Sequence, residues 1–393
     1  MKKVLIGLLT GTLILISSCS DNEKKTIDPS LQLDLAGEQL EKSLKWLGDT
    51  ILNPRTMEDG SVRLVRSQDW TSGFWPGMLW YIYESTGEEQ WKDAAHHFSM
   101  NLEQEMYNGG THDTGFKMGC SFGNGYRLTG NEDYRDILIQ SAKTLITRFN
   151  PTIGCIRSWD HNTDKWDYPV IIDNMMNIEL LFWATKETGD PVYYEVAIKH
   201  AETTLRNHFR DDHSSFHVVS YDTISGEVVK KNTHQGFAHE SAWARGQAWG
   251  LYGYTMSYRE TGREEFLQQA IKIAEFILDH PNLPEDKVPY WDYDAPGKPD
   301  IPRDVSAAAI TASALYELAG FSMDKKAELM MAADQILTSL SSDYRLSGDH
   351  SWPFLLDHST GNMNKDSEVD VPIIYADYYY VEALMRKKSL MQE

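Results

Sequence analysis

The sequence predicts an all-α fold, six helical hairpins closed into a ring as an (α/α)6 barrel, and two observations carry that prediction. A short phrase recurs: YESTGEEQWKDAA at 83–95, YRLTGNEDYRDILIQSA at 126–142, TKETGDPVYYEVAIKHA at 185–201 and YRETGREEFLQQAIKIA at 258–274, with YELAGFSMDKKAELMMAA at 316–333 as a looser copy. Each is an apolar helix end, then Thr-Gly or Ala-Gly, then acidic residues and a new amphipathic helix. Glycine just past a last helical turn takes the left-handed C-cap, and acidic residues favour the next helix N-terminus, so each phrase is a turn between antiparallel helices. The second observation is spacing. Gly87, Gly130, Gly189, Gly262 and Gly320 stand 43, 59, 73 and 58 residues apart, one hairpin per period with a variable loop at the opposite end. An open solenoid of the tetratricopeptide kind would repeat at a near-constant ~34 residues. Five turns, with a sixth expected near the C-terminus, close the ring.

Along the chain, the elements follow in order. MKKVLIGLLTGTLILISSCSDNEKK opens with two lysines, an apolar run too short for a dependable membrane span, and small residues before a cysteine. Residues 1–18 read as a signal peptide and Cys19 as a bacterial lipobox cysteine, acylated at the mature N-terminus. That places the protein in a bacterial envelope, periplasm or outer membrane, held only by its lipid. A plain cleaved signal with an incidental cysteine is the alternative. Residues 19–32 read as a flexible tether and 33–393 as one barrel domain. The 393 residues, 41% hydrophobic with 12 Trp, 20 Tyr and 13 Phe, are ample for one large core.

Charge and cysteines narrow the class. The formal charge of −21 becomes −23 once Lys2 and Lys3 leave with the signal, which argues against nucleic acid as a partner. It does not exclude an acidic substrate, because local donors outweigh a distant field. Cys120 and Cys155 could form one disulfide, though their spacing does not demand it. No CxxC or HExxH pattern is present and the 13 histidines are scattered, so no metal and no cofactor are expected. A monomer or weak dimer is expected.

The loops opposite the turns hold the unusual residues: QDWTSGFWPGMLW (68–80), GGTHDTGFKMGCSFGNGY (109–126), CIRSWDHNTDKWDYPVIIDNMMN (155–177), SSFHVVSYDTISGE (214–227), NTHQGFAHESAWARGQAWGLYGY (232–254) and HSTGNMNKDSEVDVPIIYADYYYVEAL (358–384). Surface loops normally avoid so many aromatics unless they bind something. Aromatic faces with a few polar groups describe a sugar cleft; the alternative is that they only plug the ring. Within IIDNMMNIELLFWATKETGD (171–190), Ile172, Met176, Leu180 and Trp183 form an apolar stripe with Asp173 beside it. A carboxylate there is costly, so Asp173 either caps the helix or is kept for chemistry.

HDTGF, IIDNMMN, THQGFAHESAWARGQAWGLYGY and EVDVPIIYADYYYVEAL together resemble glycoside hydrolase family 88, the unsaturated glucuronyl hydrolases, over about residues 40 to 385. A sister family acting on unsaturated rhamnogalacturonides shares the barrel but tends to carry Asn-Gly where this chain has Gln247-Ala248. The resemblance implies a substrate ending in a 4-deoxy-4-enuronosyl residue, the end left by polysaccharide lyases on chondroitin, hyaluronan, heparin or bacterial exopolysaccharides. It implies that Asp173 protonates C4 of the C4=C5 bond and that water adds at C5, after which the hemiketal opens and releases the aglycone. Such an acid must keep its proton near neutral pH, and burial with a second carboxylate, Asp113, raises its pKa. Having donated, Asp173 can take a proton from the attacking water, while Asp113 stays charged and stabilises the cationic transition state.

Further roles follow from the same resemblance. His217 and Gln235 match positions that hold the uronate and orient water. Arg245 would fork onto the uronate carboxylate; its alternative is a buried ion pair with Glu240 or another acid. Trp70, Trp159, Trp243 and Trp249 are stacking walls, and His112 is a ligand contact beside Asp113. His161 and His239 receive no role. In the loop 358–368, Lys365 with the hydroxyls of Ser359, Thr360 and Ser367 offers a sulfate cradle, against a plain solvated turn built on Gly361, Asn362 and Asn364. Two rival readings remain. One is an inverting glycosidase with Asp113 as acid and Asp173 as base, needing a carboxyl separation of roughly 6.5–9.5 Å. The other is a non-catalytic glycan-binding lipoprotein.

Overall fold

The computed structural model describes residues 27–348 and 350–392. Among them are helices α1 (Pro29–Leu47), α2 (Phe74–Thr86), α3 (Glu89–Met100), α4 (Asn124–Thr129), α5 (Glu132–Ile146), α6 (Glu179–Thr188), α7 (Pro191–Asn207), α8 (Ala244–Thr261), α9 (Glu264–Asp279), α10 (Val305–Phe321), α11 (Lys326–Ser342) and α12 (Ile374–Leu390). The even-numbered helices form the inner ring. α8, α10 and α12 are buried on nearly every face, as an inner helix must be. Outer helices bury one stripe only, as α3 does through Trp91, Ala95 and Phe98.

The turns explain the recurring phrase. Gly87, Gly130, Gly189 and Gly262 cap α2, α4, α6 and α8 at φ 71°, 65°, 73° and 64°, each N–H reaching the carbonyl four residues back. The fifth turn differs from expectation. Gly320 lies inside α10, which runs on to Phe321 and is capped by Ser322 at φ −116°. Among the described residues the expected sixth turn is also missing, because the first and last described helices, α1 and α12, make the sixth pair. α1 packs outside α12, with Gln32 Oε1 3.3 Å from the Tyr380 hydroxyl, and Gly37 rests against Ile82 and Trp91.

Helix α1 starts at Pro29, where Asp28 accepts from Ser30 N–H, so the tether expected over 19–32 ends sooner. Its Cys19 and the signal over 1–18 lie outside the described residues. Cys120 and Cys155 are free thiols, so the possible disulfide is not made.

Short strands fill the segments opposite the turns. β1 (Asn53–Glu58) pairs with β2 (Ser61–Val65) and β3 (Phe149–Asn150) with β4 (Cys155–Ile156). β5 (Tyr168–Ile171), β6 (Val218–Tyr221) and β7 (Val228–Asn232) make an antiparallel sheet, and β8 (Ser359–Asn362) pairs with β9 (Ser367–Val371). The ring axis is crossed by an aromatic layer in which Phe116 lies 5.6 Å from Phe74 and 5.1 Å from Trp249, and Trp249 lies 5.4 Å from Tyr379. On the turn side of that layer is a cavity of about 820 Å³. Among the described residues no helix is long and apolar enough to cross a membrane.

Candidate active site

Three loops leave one sheet edge together. Ile171 pairs with Val218, which pairs with Asn232. Residues beyond that rung emerge side by side: Asp173 after β5, His217 before β6, and His234 and Gln235 after β7. The ladder takes one more step, with Ile172 N–H donating to His217 O at 3.1 Å. The chain then tightens into a 3-10 turn, Ile172–Met176, whose start has no side-chain cap. Asp173 is therefore not the helix cap that its residue type allows.

Asp113 arrives from the neighbouring hairpin. His112 N–H donates to Ser158 O at 3.2 Å while Ser158 Oγ accepts from Ile171 N–H, which ties the HDTGF segment to the end of β5. Gly115 sits so close to the Asp173 turn that a Cβ would stand 2.4 Å from Asn177 Cα. Phe116 N–H completes the contact by donating to Asn177 Oδ1 at 2.9 Å. From Gly115 to Gly123 the chain winds as a π-helix, a form frequent at functional sites. Thr111 Oγ1 donates to Asp113 Oδ2 at 2.7 Å, and His112 Nε2 stands 3.2 Å from its Oδ1.

Asp173 is the strained member electrostatically. Its side chain is 13% exposed and its Oδ2 is buried with no hydrogen-bond partner among the described residues. Burial pushes its pKa from 3.8 to about 7; Arg245 and the turn's own N–H pull it down, and Asp113 pushes it up. His217 Nε2 lies 3.9 Å from that Oδ2, yet this is no ion pair, because burial holds the imidazole well below its ordinary pKa and hence neutral. His217 Nδ1 accepts the N–H groups of His234 and Gln235, each at 3.2 Å, so the ring proton belongs on Nε2, toward Asp173. His112 is also held neutral by burial, against the pull of Asp113. Two neutral imidazoles thus flank two carboxyl groups, and Asp173 keeps its proton near neutrality.

The aromatic residues divide. Trp70 is half-buried, 5.0 Å from Tyr375, and Trp159 is half-buried and stacked on His161 at 5.2 Å. Trp243 is sandwiched between His217 at 4.4 Å and the Arg245 guanidinium at 4.6 Å. Gln235 Nε2 donates to Gly361 O at 2.9 Å, and Lys365 stands exposed at the tip of the β8–β9 hairpin. Burial first, then the Lys365 charge, holds His234 at about 4.

Three expectations are corrected. Arg245 is a buried structural cation: Nη1 binds Asp304 Oδ2 at 2.5 Å and Thr360 O at 2.7 Å, and Nη2 binds Gly361 O at 2.6 Å. Its partner is Asp304, while Glu240 lies 3.6 Å from Arg210. Trp249 is fully buried between Phe116 and Tyr379 as part of the floor, and Trp243 is buried against His217 and Arg245, so neither is the stacking wall expected. Ser359 and Thr360 are buried at the hairpin base, with Thr360 Oγ1 donating to Arg303 O, so they do not join Lys365 in a cradle. Sequence reasoning also missed Asp304, which holds Arg245, and Arg55, which holds the β8–β9 hairpin through Glu368. Asp304 alone left a trace, an acidic residue before the helix it caps.

The turn-end cavity is a separate space. Neither Asp113 nor Asp173 lines it, and its guanidinium groups pair locally, Arg127 with Glu84 and Arg386 with Glu317.

Comparison with known proteins points to one family. The model of Glycosyl Hydrolase Family 88 matches residues 48–260. The unsaturated glucuronyl hydrolase of Formosa agariphila is 53% identical over 332 residues, covering 84% of this chain and 82% of its own. The unsaturated chondroitin disaccharide hydrolase of Streptococcus agalactiae is 33% identical, covering 93% and 95%. A crystal structure of an unsaturated glucuronyl hydrolase specific for heparin superimposes with a TM-score of 0.90 at 46% identity, covering 93% of this chain and 98% of that one.

Proposed function

The chain belongs to glycoside hydrolase family 88, and on that premise we propose that it removes the unsaturated 4-deoxy-4-enuronosyl residue from lyase-generated oligosaccharides by hydrating the C4=C5 vinyl ether. The observation that supports this most is Asp173, a carboxyl whose Oδ2 is buried without a hydrogen-bond partner among the described residues, 3.9 Å from His217 Nε2, and whose pKa burial raises. Asp173 gives its proton to C4, and positive charge develops at C5 and the ring oxygen. Water attacks C5 and returns a proton to Asp173, so C4 gains hydrogen and C5 gains hydroxyl. The C5 hemiketal then opens to a ketone, and the hemiacetal left at C1 expels the aglycone as an alcohol. Asp113, held by Thr111 and His112, supplies fixed negative charge near the cation. Neutral His217, proton on Nε2, orients the water or the uronate without competing for the acid proton.

Incubating the protein with an unsaturated disaccharide and its saturated counterpart tests this. Loss of the enoyl absorbance with the saturated sugar untouched is expected. Cleavage of the saturated sugar favours the inverting glycosidase, and binding without turnover the glycan-binding reading.

Lys365, at the entrance beside His161 and His234, is proposed to read a sulfate on the sugar after the scissile bond. Lys365→Ala should raise KM for sulfated disaccharides only, since only they lose a charge-assisted bond of roughly 1.5–3 kcal/mol. Equal effects on both classes would return Lys365 to the solvent. We also propose lipid anchoring at Cys19 in the bacterial envelope, which Cys19→Ala would convert to a released form.

A further inference from the structure

The β8–β9 hairpin, which carries Lys365, is held in an uncommon backbone. Among the described residues eight non-glycine positions have positive φ, and four of them, His358 (66°), Asp366 (48°), Glu368 (58°) and Asp370 (55°), fall within this hairpin and its base. Such conformations cost L-residues energy and persist only where the surroundings impose them. The surroundings are visible. On one side Arg245 binds the carbonyls of Thr360 and Gly361. On the other, Arg55 of β1 forks onto Glu368, Nε to Oε1 at 2.6 Å and Nη2 to Oε2 at 3.0 Å. Glu368 reaches Arg55 across Gly361, where an added Cβ would stand 2.6 Å from the carboxylate.

Arg55 has a third bond. Its Nη1 binds Asp69 Oδ2 at 2.6 Å, while Asp69 Oδ1 accepts from the N–H and hydroxyl of Thr71 and so shapes the turn that carries Trp70. The Arg55 and Glu368 side chains are 16% and 6% exposed, so water screens this pairing little. The hairpin tip lies across the site entrance, with Asn364 Nδ2 donating to Gly236 O at 2.7 Å beside Gln235.

We propose that Arg55 and Glu368 are positioning residues for substrate binding: together they clamp the left-handed hairpin to the Trp70 turn and set the width of the site between Trp70 and the Lys365 tip. Neither touches the reacting carboxyl groups, so the clamp acts on how substrate is held and not on proton transfer. This rests on the reading of the site as an unsaturated uronosyl hydrolase.

The test uses the full chain with Arg55→Met, Glu368→Ala and Glu368→Gly. Arg55→Met and Glu368→Ala should raise KM for an unsaturated disaccharide by about tenfold or more, with kcat within about twofold and the alkaline pH limb unmoved, since only uniform binding is lost. Glu368→Gly removes the clamp but relieves the left-handed residue, so it should melt above Glu368→Ala while keeping the raised KM. A fall in kcat at unchanged KM, or kinetics like the wild type, would overturn the proposal. Amide hydrogen exchange over 359–371 gives an answer without activity: faster exchange in Arg55→Met and Glu368→Ala supports the clamp, and unchanged exchange refutes it. Should the wild type not hydrate the disaccharide at all, the functional reading fails while the exchange result still decides on the clamp.

Discussion

At the scale of residues, the fold tolerates a carboxyl group that is happier protonated. Because the pKa of Asp173 is raised in the folded chain, its effect on stability is absent below the unfolded value of 3.8 and grows as pH rises to about 7. Asp173→Asn should therefore stabilise the protein increasingly between those pH values and level off above, by at most on the order of 4 kcal/mol. Thermal melts at pH 4 and pH 8 check it; an equal effect at both pH values would contradict the raised pKa. The same substitution should lower kcat by roughly 10²–10⁴. Asp113→Asn removes the charge that pushes Asp173 up, so the alkaline limb of the rate profile should move to lower pH; a shift upward would contradict like-charge coupling. Asp173 stood out in the sequence because a carboxyl beside an apolar helical stripe has few bland explanations. Arg245 stood out too, but its buried ion pair was only the alternative and its acid was not identified, since its partners lie 59, 115 and 116 residues away and only the folded chain brings them together.

At the scale of elements, the site depends on register and on close approach. The rung Ile171–Val218–Asn232 decides that Asp173, His217 and Gln235 leave the sheet together, and a one-residue slip would send their side chains to opposite faces. Gly115 permits the second approach. Gly115→Ala puts a methyl group into Asn177 backbone, which cannot swing away as a side chain would. An overpacking cost of about 1–3 kcal/mol is expected, with kcat reduced at least tenfold through misplacement of Asp113. Melting and steady-state kinetics together check this, and wild-type values in both would show that the two turns are not in contact. The helical hairpins were legible because glycine caps and acidic starts are local signals. The strands were not, being two to six residues long and specified by partners in other loops.

At the scale of the whole molecule, the ring is closed by its first and last described helices. α1 and α12 make the sixth pair without a connecting turn, which is why counting turns stopped at five and the expected sixth was not found. Deleting residues 27–47 should expose the outer face of α12 and the α2 surface under Gly37, lowering the melting temperature of the whole barrel in one transition; a melt like the wild type would show that α1 is dispensable. The even helices bring every loop to one rim, so the carboxyl pair, the neutral histidines and the clamped hairpin share one entrance opposite the turn-end cavity. The central claim is that this entrance delivers a proton to carbon. It is tested most directly by turnover of an unsaturated disaccharide in D₂O and, separately, in H₂¹⁸O, followed by fragmentation of the products. Deuterium at C4 and ¹⁸O at C5 are predicted; an unlabelled C4 with ¹⁸O on the anomeric carbon would contradict it.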